Sequence, residues 1–491
     1  MKKNKTYYLF YTALIILGII ILDLPFGLTP IMFDDSSAYL AEQLPIGVVP
    51  GYPLFLAANR KIFGEMYYLK AVVVLQILLN VAASVSLIRY LWQKLNLRWF
   101  EALVFFLASF VPHSVFMPTG MSSRMIVTEA LAFPVFYFMV ICVMEAVWNK
   151  KVWYGIGALF LTILLSLVRT QLQLTMVIPI GAIVYALYKN VNGNRLKKFR
   201  RLLLGVGIGL LLFAGAYLSY RQINKQMQQI MTVMNQSDRE GETGKANIKE
   251  PVKGSQNISA QISGVFYSKM MFTAEPDDRE LFQNENLARL FDTVYERLLS
   301  NDRLLNSMQM DLYIADKIFN RIDGVYSESF EILRECDESL LTEFATSGNI
   351  LSIFARTIFR NHPLRWLKSG LLQIPSGLIS TVFFHKRSFY WFSYLTAFLA
   401  YALAIASIAW GIKRKLCTSA VEFMVCTLLI NLLFVSASAI VYIALQRYVV
   451  YGFGLFYMAW YYLIKQLFLT RSSNKGEENA SDCHDSYSGL Q

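Results

Sequence analysis

Two adjacent carboxylates, Asp34 and Asp35, follow directly after the first apolar segment of the chain. A carboxylate at the edge of a membrane is costly unless water solvates it, a cation pairs with it or a reaction uses it. A carboxylate within hydrogen-bond distance of a substrate hydroxyl can accept its proton as a general base. We therefore expect this loop to activate a hydroxyl group on a substrate that arrives at the bilayer surface.

Acidic and basic side chains also stand where later apolar segments begin or end, namely Arg124, Glu129, Arg169 and the pair Arg447-Tyr448. An arginine can bind a phosphate oxyanion bidentately, and it keeps its charge at physiological pH. A carboxylate base combined with arginines suits a transfer reaction in which the leaving group is a phosphate.

Each of these side chains also has a simpler interpretation. Asp34 and Asp35 can belong to a solvated loop, or they can cap a short helix, because Ser-Ser-Ala follows them. Glu129 can be an acidic residue favoured by a helix N-terminus, and Arg169 and Arg447 can be interfacial anchors. Their joint placement on one side of the membrane favours a shared site.

Long apolar segments must position these residues. Hydrophobic residues make up 55% of the 491 residues, and about 20 apolar residues suffice for a helix that crosses ~30 Å of hydrocarbon. Backbone in lipid must satisfy its own hydrogen bonds, so we expect an all-α polytopic membrane protein. The apolar runs predict about ten spans, near 7–24, 68–91, 100–117, 127–148, 153–168, 172–188, 202–219, 389–412, 419–443 and 449–467.

Clusters of Lys and Arg set the expected orientation. One cluster precedes the first span, at 2–5, and the others follow every second span, at 94–98, 150–151, 195–201, 413–415 and 465–475. By the positive-inside rule both termini are cytoplasmic, and the net charge of +12 reflects topology rather than nucleic-acid binding. The five cysteines place no pair on the oxidising side, so no internal disulfide is expected. A short basic start and no disulfide favour a bacterial plasma membrane.

The domain organisation follows from these spans. We expect an N-terminal membrane module at 1–219 with a catalytic first outer loop at 25–67, and an extracytoplasmic helical insertion at 220–363. Within the insertion, polar composition predicts a loop near 235–262. From about 278 to 360 apolar residues recur at helical spacing and predict a small helical subdomain, as at Leu287, Leu290, Phe291, Val294, Leu298 and Leu299. The segment 364–384, which opens a C-terminal membrane module at 364–470, carries too many charges and breakers for a span. It is expected to be an interfacial or re-entrant helix. The polar tail, 471–491, is expected to be disordered.

Several different short motifs follow one another along almost the whole chain. They are Phe33-Asp34-Asp35 with Tyr39, Pro50-Gly51-Tyr52-Pro53 leading to Phe63-Gly64, Thr128-Glu129-Ala130, Leu167-Val168-Arg169, Asn361-His362-Pro363, and Arg447-Tyr448 with Tyr451. This order resembles the membrane-embedded glycosyltransferases with the C-type fold, which use a polyprenyl-phosphate sugar as donor. That group includes protein O-mannosyltransferases and the aminoarabinose transferases of lipid A.

The resemblance implies a role for each matching residue. Asp34 would be the general base, with Asp35 and Glu129 at the other acidic positions of the catalytic site. Arg447, and then Arg169, would hold the lipid phosphate, and the substrate-binding residues would also include Tyr39, Arg124 and Tyr448. Some members hold a divalent metal such as Mg or Mn, which Asp34 and Glu129 would bind here. The partners would be a polyprenyl-phosphate-sugar donor lipid and an acceptor that is a glycan, lipid or protein. The segment 220–363 matches no outer domain of the group.

Three competing functions remain at this stage. A transporter or flippase for a lipid-linked sugar would carry charges along a path through its spans. A polysaccharide polymerase or ligase would use paired arginines in its outer loops, and a receptor or scaffold would use 220–363 as a binding module. The predicted spans are nearly free of charge, and the charged residues gather at one end, which favours an enzyme.

Overall fold

The computed structural model describes most of the chain. The described residues are 2–23, 27–33, 36–40, 49–110, 123–190, 195–242, 259–307, 314–336, 347–382, 390–414, 418–441 and 449–473. Four site residues expected from the sequence, namely Asp34, Asp35, Arg447 and Tyr448, lie outside them.

The described part of the chain is helical and contains no β-strand. The first helices are α1 (Lys2–Asp23), α2 (Ser36–Leu40), α3 (Gly51–Leu95), α4 (Trp99–Phe110), α5 (Thr128–Trp148), α6 (Val152–Val168), α7 (Val177–Lys189) and α8 (Arg195–Glu242). Those of the middle region are α9 (Ser259–Phe272), α10 (Glu285–Ser300), α11 (Ile314–Glu335) and α12 (Ser347–Asn361). The last are α13 (Pro363–Leu371), α14 (Ile374–Ser380), α15 (Tyr390–Lys413), α16 (Thr418–Val441) and α17 (Phe453–Ser473).

Six of these helices are long and apolar enough to cross a membrane. They cover Gly51–Leu95, Thr128–Trp148, Leu172–Lys189, Leu196–Met231, Trp391–Lys413 and Ser419–Ile440. Shorter apolar helices lie at Leu9–Ile21, Trp99–Phe110 and Val152–Val168. The prediction of an all-α membrane protein with several spans is therefore confirmed, whereas the count of ten stays a prediction.

Successive helices run in opposite directions, so the bundle has two ends. We call the loop end the one where α5 begins, at Thr128, and α6 ends, at Val168. The opposite end is the one where α3 and α5 end. An ion pair between Lys94 and Glu145 joins those two C-termini at 3.4 Å. A continuous core of aliphatic and aromatic side chains fills the bundle between the two ends.

Helix α3 folds back on itself at Gly64, whose φ of 71° lies in the left-handed region that favours glycine. The Tyr52 hydroxyl donates to Gln76 Oε1 at 2.8 Å. A continuous helix would separate these residues by about 36 Å, but each lies twelve residues from Gly64, so the two arms lie side by side. The sequence motif that ends at Phe63-Gly64 therefore marks a helical hairpin at the loop end.

A second hydrophobic core joins α9, α10, α11 and α12, which we call the helical subdomain (259–361). The predicted boundary at 219 falls inside α8, which continues without a break to Glu242. The predicted polar loop at 235–262 is also wrong at both of its ends, because 235–242 and 259–262 are helical. Apolar residues at helical spacing place the subdomain core correctly, since Leu290, Phe291 and Val294 are buried.

The chain leaves the subdomain through two short helices, α13 and α14. A Cβ on Gly370 would lie 3.1 Å from the carbonyl oxygen of Ala439, near the end of α16. Further along, Leu378 packs near Val435, and the Thr381 hydroxyl lies 2.5 Å from the Tyr401 hydroxyl of α15. The chain from α13 to α14 therefore runs alongside α16, from the C-terminal end of α16 toward the middle of α16. The expectation that 364–384 is an interfacial or re-entrant helix stays a prediction.

Candidate functional site

A short extended segment of the first loop lies against the approach to α5. Ile31 and Met125 form an isolated parallel bridge. The Ile31 amide donates to the Arg124 carbonyl at 3.0 Å, and the Ile126 amide donates to the Ile31 carbonyl at 3.1 Å. The Arg124 guanidinium donates through Nη2 to the Thr29 carbonyl at 2.7 Å. These bonds fix the first loop beside the residues that lead to Glu129.

Phe33 and Ser36, which flank Asp34 and Asp35 in the sequence, are also held against the approach to α5. The Phe33 amide donates to Ser36 Oγ at 2.8 Å, and the Ser36 amide donates to the Phe33 carbonyl at 2.9 Å. Ser36 Oγ in turn donates to the carbonyl of Ile126 at 2.9 Å. Ser36 is buried, so its hydroxyl ties the start of α2 to the approach to α5.

Glu129, in the first turn of α5, forms a buried ion pair with Arg169. Glu129 Oε1 lies 2.5 Å from Arg169 Nη1, and Thr128 Oγ1 donates to Glu129 Oε2 at 2.9 Å. Arg169 follows directly after α6 with an extended backbone, before the 3₁₀ turn Thr170–Met176. The pair therefore joins the beginning of α5 to the end of α6 at the loop end of the bundle.

Polar side chains of α3 extend this site into the bundle. Gln76 Nε2 donates to the carbonyls of Ser123 at 2.7 Å and Met125 at 3.1 Å. Asn80, one turn further, donates through Nδ2 to Ser123 Oγ at 3.1 Å and to the Ala130 carbonyl at 3.0 Å. Gln76 and Asn80 are both fully buried, and they align α3 with the segment that carries Glu129.

The hairpin of α3 brings a tyrosine toward the segment that carries the ion pair. Tyr52 is fully buried, and its hydroxyl donates to Gln76, whose amide donates to the carbonyls of Ser123 and Met125. The ring of Tyr39 packs edge-to-face on Tyr52, with 5.4 Å between the ring centroids. Tyr39, which was expected to bind substrate, therefore lies against Tyr52 at the loop end.

Gly51 explains how the hairpin approaches α6 so closely. A Cβ at this position would lie 2.3 Å from the Leu167 carbonyl oxygen, a distance that no side chain can adopt without moving backbone. The motifs Pro50-Gly51-Tyr52 and Leu167-Val168-Arg169 therefore pack directly against each other. The sequence places them 115 residues apart, and the absence of a side chain at Gly51 lets them meet.

The residues that follow Arg447 and Tyr448 also reach α5. The ring of Tyr451 stacks on Phe133, with 4.3 Å between the centroids and 12° between the ring planes. Phe133 lies one helical turn below Glu129. A Cβ on Gly452 would collide with Oδ1 of Asn431, so this turn also packs tightly on α16.

The structure thus brings together part of the expected site. Glu129 and Arg169 form one buried pair, and the buried Arg124 and the partly buried Tyr39 lie at the same end of the bundle. Arg124 anchors the first loop through the Thr29 carbonyl, and its expected contact with substrate stays a prediction.

Sequence reasoning did not single out Tyr52, Gln76, Asn80 and Ser36 as site residues. The signal for Gln76 and Asn80 was present, since two amides four residues apart interrupt an apolar run and must face a polar partner.

A divalent metal does not fit the described part of the site. Glu129 Oε1 already faces the Arg169 guanidinium, and Oε2 accepts the Thr128 hydroxyl proton. A cation at Oε1 would meet the positive guanidinium. Among the described residues, no group of three His, Cys, Asp or Glu side chains is arranged to hold a metal ion.

Comparison of the chain with protein-family models, with curated proteins and with solved structures gives no match.

Proposed function

We propose that the chain is an inverting glycosyltransferase that moves a sugar from a polyprenyl-phosphate donor to an acceptor hydroxyl at the membrane surface. The observation that carries the proposal is the buried Glu129–Arg169 pair, which lies at the same end of the bundle as the Tyr39–Tyr52 contact. Burying two charges is expensive, and replacing such a pair by apolar residues is often neutral or stabilising. A buried pair at the loop end therefore favours a functional reason for its presence.

The flanks of Asp34 support its role as the general base. Phe33 and Ser36 are hydrogen-bonded to each other, and the Ser36 hydroxyl donates to the carbonyl of Ile126, three residues before Glu129. A catalytic carboxylate needs a fixed position relative to its substrate, because misplacement by 1 Å can cost a large factor in rate. The first loop is held on the bundle by backbone and hydroxyl bonds, which is the support that such a base requires.

The reaction is a single in-line displacement. The acceptor oxygen forms a bond to the anomeric carbon while the bond from that carbon to the phosphate oxygen breaks. Asp34 accepts the proton of the acceptor hydroxyl, and the leaving electron pair stays on the lipid phosphate. Attack from the side opposite to the phosphate inverts the anomeric centre.

The ion pair concerns the second of the two candidate phosphate ligands, Arg169. The guanidinium of Arg169 is paired with Glu129, so much of its charge is already compensated. We therefore assign the developing phosphate charge first to Arg447. The Glu129–Arg169 pair fixes the beginning of α5 and the end of α6 at the wall of the site, where Gln76 holds the Tyr52 hydroxyl.

The test measures transfer from a radiolabelled polyprenyl-phosphate sugar pool to endogenous acceptors. Membranes would carry the wild-type chain or Asp34→Asn at equal abundance, with Asp277→Asn as the matched control. Asp277 is an exposed carboxylate near the helical subdomain. Loss of a general base is expected to lower the rate by roughly 10²–10⁴-fold, and the control is expected to keep full activity.

Each outcome decides a different part of the proposal. Transfer that is lost in Asp34→Asn and kept in Asp277→Asn supports both the activity and the base. Equal transfer in all three membranes would move the base to Asp35 or Glu129. No transfer from wild-type membranes with any polyprenyl-phosphate sugar would overturn the proposal and favour the transporter.

A further inference from the structure

Helix α13 carries its apolar side chains on the outside of the protein. Leu364, Leu367 and Leu371 recur at i, i+3 and i+7, so they share one face. Their exposed fractions are 76%, 38% and 51%. A helix of a soluble domain normally turns such a face toward the core. Helix α13 instead turns its leucine face outward.

The inner face of α13 is occupied by its own partners. Arg365 binds Asp278 through Nη1 at 2.5 Å and Glu275 through Nη2 at 2.6 Å. The Trp366 ring lies 5.9 Å from the Lys269 ammonium, and Gly370 is buried against the end of α16. These contacts fix the rotation of the helix, so the leucine face cannot turn inward without breaking them.

The neighbouring helices α10 and α12 show the usual arrangement. Both are as clearly amphipathic as α13, but they bury their apolar faces in the core of the helical subdomain. The buried side chains are Leu290, Phe291, Val294 and Leu298 on α10, and Ile350, Leu351, Phe354 and Ile358 on α12. The exposed leucines of α13 therefore do not result from a general lack of apolar cover in this region.

The position of α13 indicates what covers the leucine face. Gly370 lies against Ala439 and Ile440, and the candidate span Ser419–Ile440 ends there. The exposed Lys368 stands four residues after Leu364 and three before Leu371, at the edge of the leucine face. A lysine in this position can bury its stem beside apolar groups and direct its ammonium to lipid phosphates.

We infer that the Leu364–Leu367–Leu371 face of α13 is immersed in the phospholipid interface of the leaflet at the loop end, with Lys368 at the level of the lipid phosphates. An amphipathic helix at an interface buries its apolar face about 5–10 Å into the boundary between headgroups and acyl chains. The helical subdomain thereby rests on the membrane through α13. This inference does not depend on the proposed transferase activity.

The test uses nitroxide labels on the full chain in phospholipid nanodiscs. The five native cysteines are first replaced, and single cysteines are then introduced as Leu364→Cys, Leu367→Cys and Leu371→Cys. Leu403→Cys on α15, which is exposed within a candidate span, is the lipid reference, and Glu296→Cys, exposed on α10, is the water reference. Power saturation compares the accessibility of each label to oxygen, which concentrates in lipid, and to a water-soluble nickel complex.

The expected result is that the three α13 labels are more accessible to oxygen than to nickel, as at Leu403. Accessibility to nickel that matches the Glu296 label at all three positions would overturn the inference and place the face in water. Low accessibility to both reagents would also overturn it, because a protein surface would then cover the face. Glu296→Cys and Leu403→Cys must differ in the expected direction in the same preparation.

Discussion

The two ends of the bundle use charged residues in different ways. At the loop end, the side chains of Glu129 and Arg169 are 2% and 8% exposed and lie 2.5 Å apart. At the opposite end, Lys465 pairs with Glu101 at 2.7 Å and Lys94 pairs with Glu145 at 3.4 Å, and these lysines are 18% and 30% exposed. The opposite end therefore keeps its cations near solvent, whereas the loop end buries a guanidinium.

The cation in each place suits a different task. Lysine at a helix end can direct its ammonium to water while its stem packs on the helices, and the Lys465–Glu101 pair joins the C-terminal part of α17 to the first turn of α4. Arginine keeps its charge when buried and binds oxyanions with fixed geometry. The ion pairs at the opposite end link helices to one another and keep their lysines partly exposed. The loop end carries a buried guanidinium, as our proposed catalytic site requires.

Breaking the loop-end pair should have the largest effect. Arg169→Met or Glu129→Leu alone leaves one uncompensated buried charge, which costs roughly 3–5 kcal/mol. The double variant removes both charges, and we expect its stability to return close to wild type while sugar transfer stays lost. Thermal unfolding in detergent and the transfer assay measure the two properties separately. A double variant that is both stable and active would show that the pair is only structural.

The close approach of the hairpin to α6 should be the next most sensitive feature. In Gly51→Ala the new methyl group would lie 2.3 Å from the Leu167 carbonyl oxygen. Overpacking of this kind costs about 1–3 kcal/mol, and it should displace the Tyr52 hydroxyl from Gln76. Gly157→Ala, on α6 with nothing within 4 Å of the added methyl group, is the matched control and should be neutral or slightly stabilising. Thermal unfolding of both variants checks the difference, and equal effects would contradict the packing argument.

A second buried cation links the helical subdomain to the bundle. Lys269 Nζ donates to the carbonyls of Ala439 and of Ile440, the latter at 2.8 Å. Burial lowers the pKa of Lys269 to about 7. Lys269→Met leaves these carbonyls without a donor but removes the burial cost of an ammonium, so we expect a net loss of only about 1 kcal/mol near pH 7. Lys269→Gln, whose amide can still donate, should lose less.

The pH dependence of this link has a definite sign. Between the folded pKa of about 7 and the ordinary lysine value near 10.5, the unfolded chain binds more protons than the folded one. Wild-type stability should therefore rise relative to Lys269→Met as the pH is raised from 7 toward 10. Below pH 7 the difference should be constant. Unfolding temperatures of both chains at pH 6, 8 and 9.5 measure this difference, and a difference that stays flat throughout would contradict the burial of a titrating ammonium.

Much of the fold could be predicted from the sequence, because lipid imposes one simple pattern on it. Apolar runs located the helices of the bundle, and the spacing of Leu290, Phe291 and Val294 located the core of the subdomain. The end of α8 was missed, because its last turns are polar and neighbouring residues resemble a loop in composition. A helix that leaves the membrane no longer needs apolar side chains, so its length cannot be read from hydropathy.

The candidate site could be predicted only in part. The sequence indicated that Glu129 and Arg169 stand at the same end, since both occur at helix termini on one side of the bundle. It gave no indication that they pair, or that Tyr52 folds back onto them. Those contacts depend on the reversal at Gly64 and on the close approach at Gly51, which are tertiary features without a local pattern. Lys269 has no sequence signal at all, since nothing around it distinguishes it from an exposed lysine.

The smallest loss of stability is expected at the opposite end of the bundle, where Lys465 pairs with Glu101. Lys465→Met removes the ammonium from Glu101, but that carboxylate still accepts the Tyr461 hydroxyl at 2.9 Å and the Arg98 amide at 2.7 Å. The remaining donors keep the charge of Glu101 solvated within the protein, so the loss should be about 1 kcal/mol or less. Transfer should be unchanged, because Lys465 is separated from the loop end by the length of the bundle.

The same assays decide between the two interpretations of buried charge in this protein. If Lys465→Met lowers transfer as strongly as Arg169→Met, then the charge pairs at both ends act only by holding the helices together. The Glu129–Arg169 pair would then have no role in the reaction. If Lys465→Met reduces the unfolding temperature slightly and leaves transfer intact, while Arg169→Met abolishes it, then the two ends differ in function as they differ in exposure. The ratio of lost activity to lost stability, measured for both variants in one preparation, separates these cases because a purely structural pair changes both in proportion.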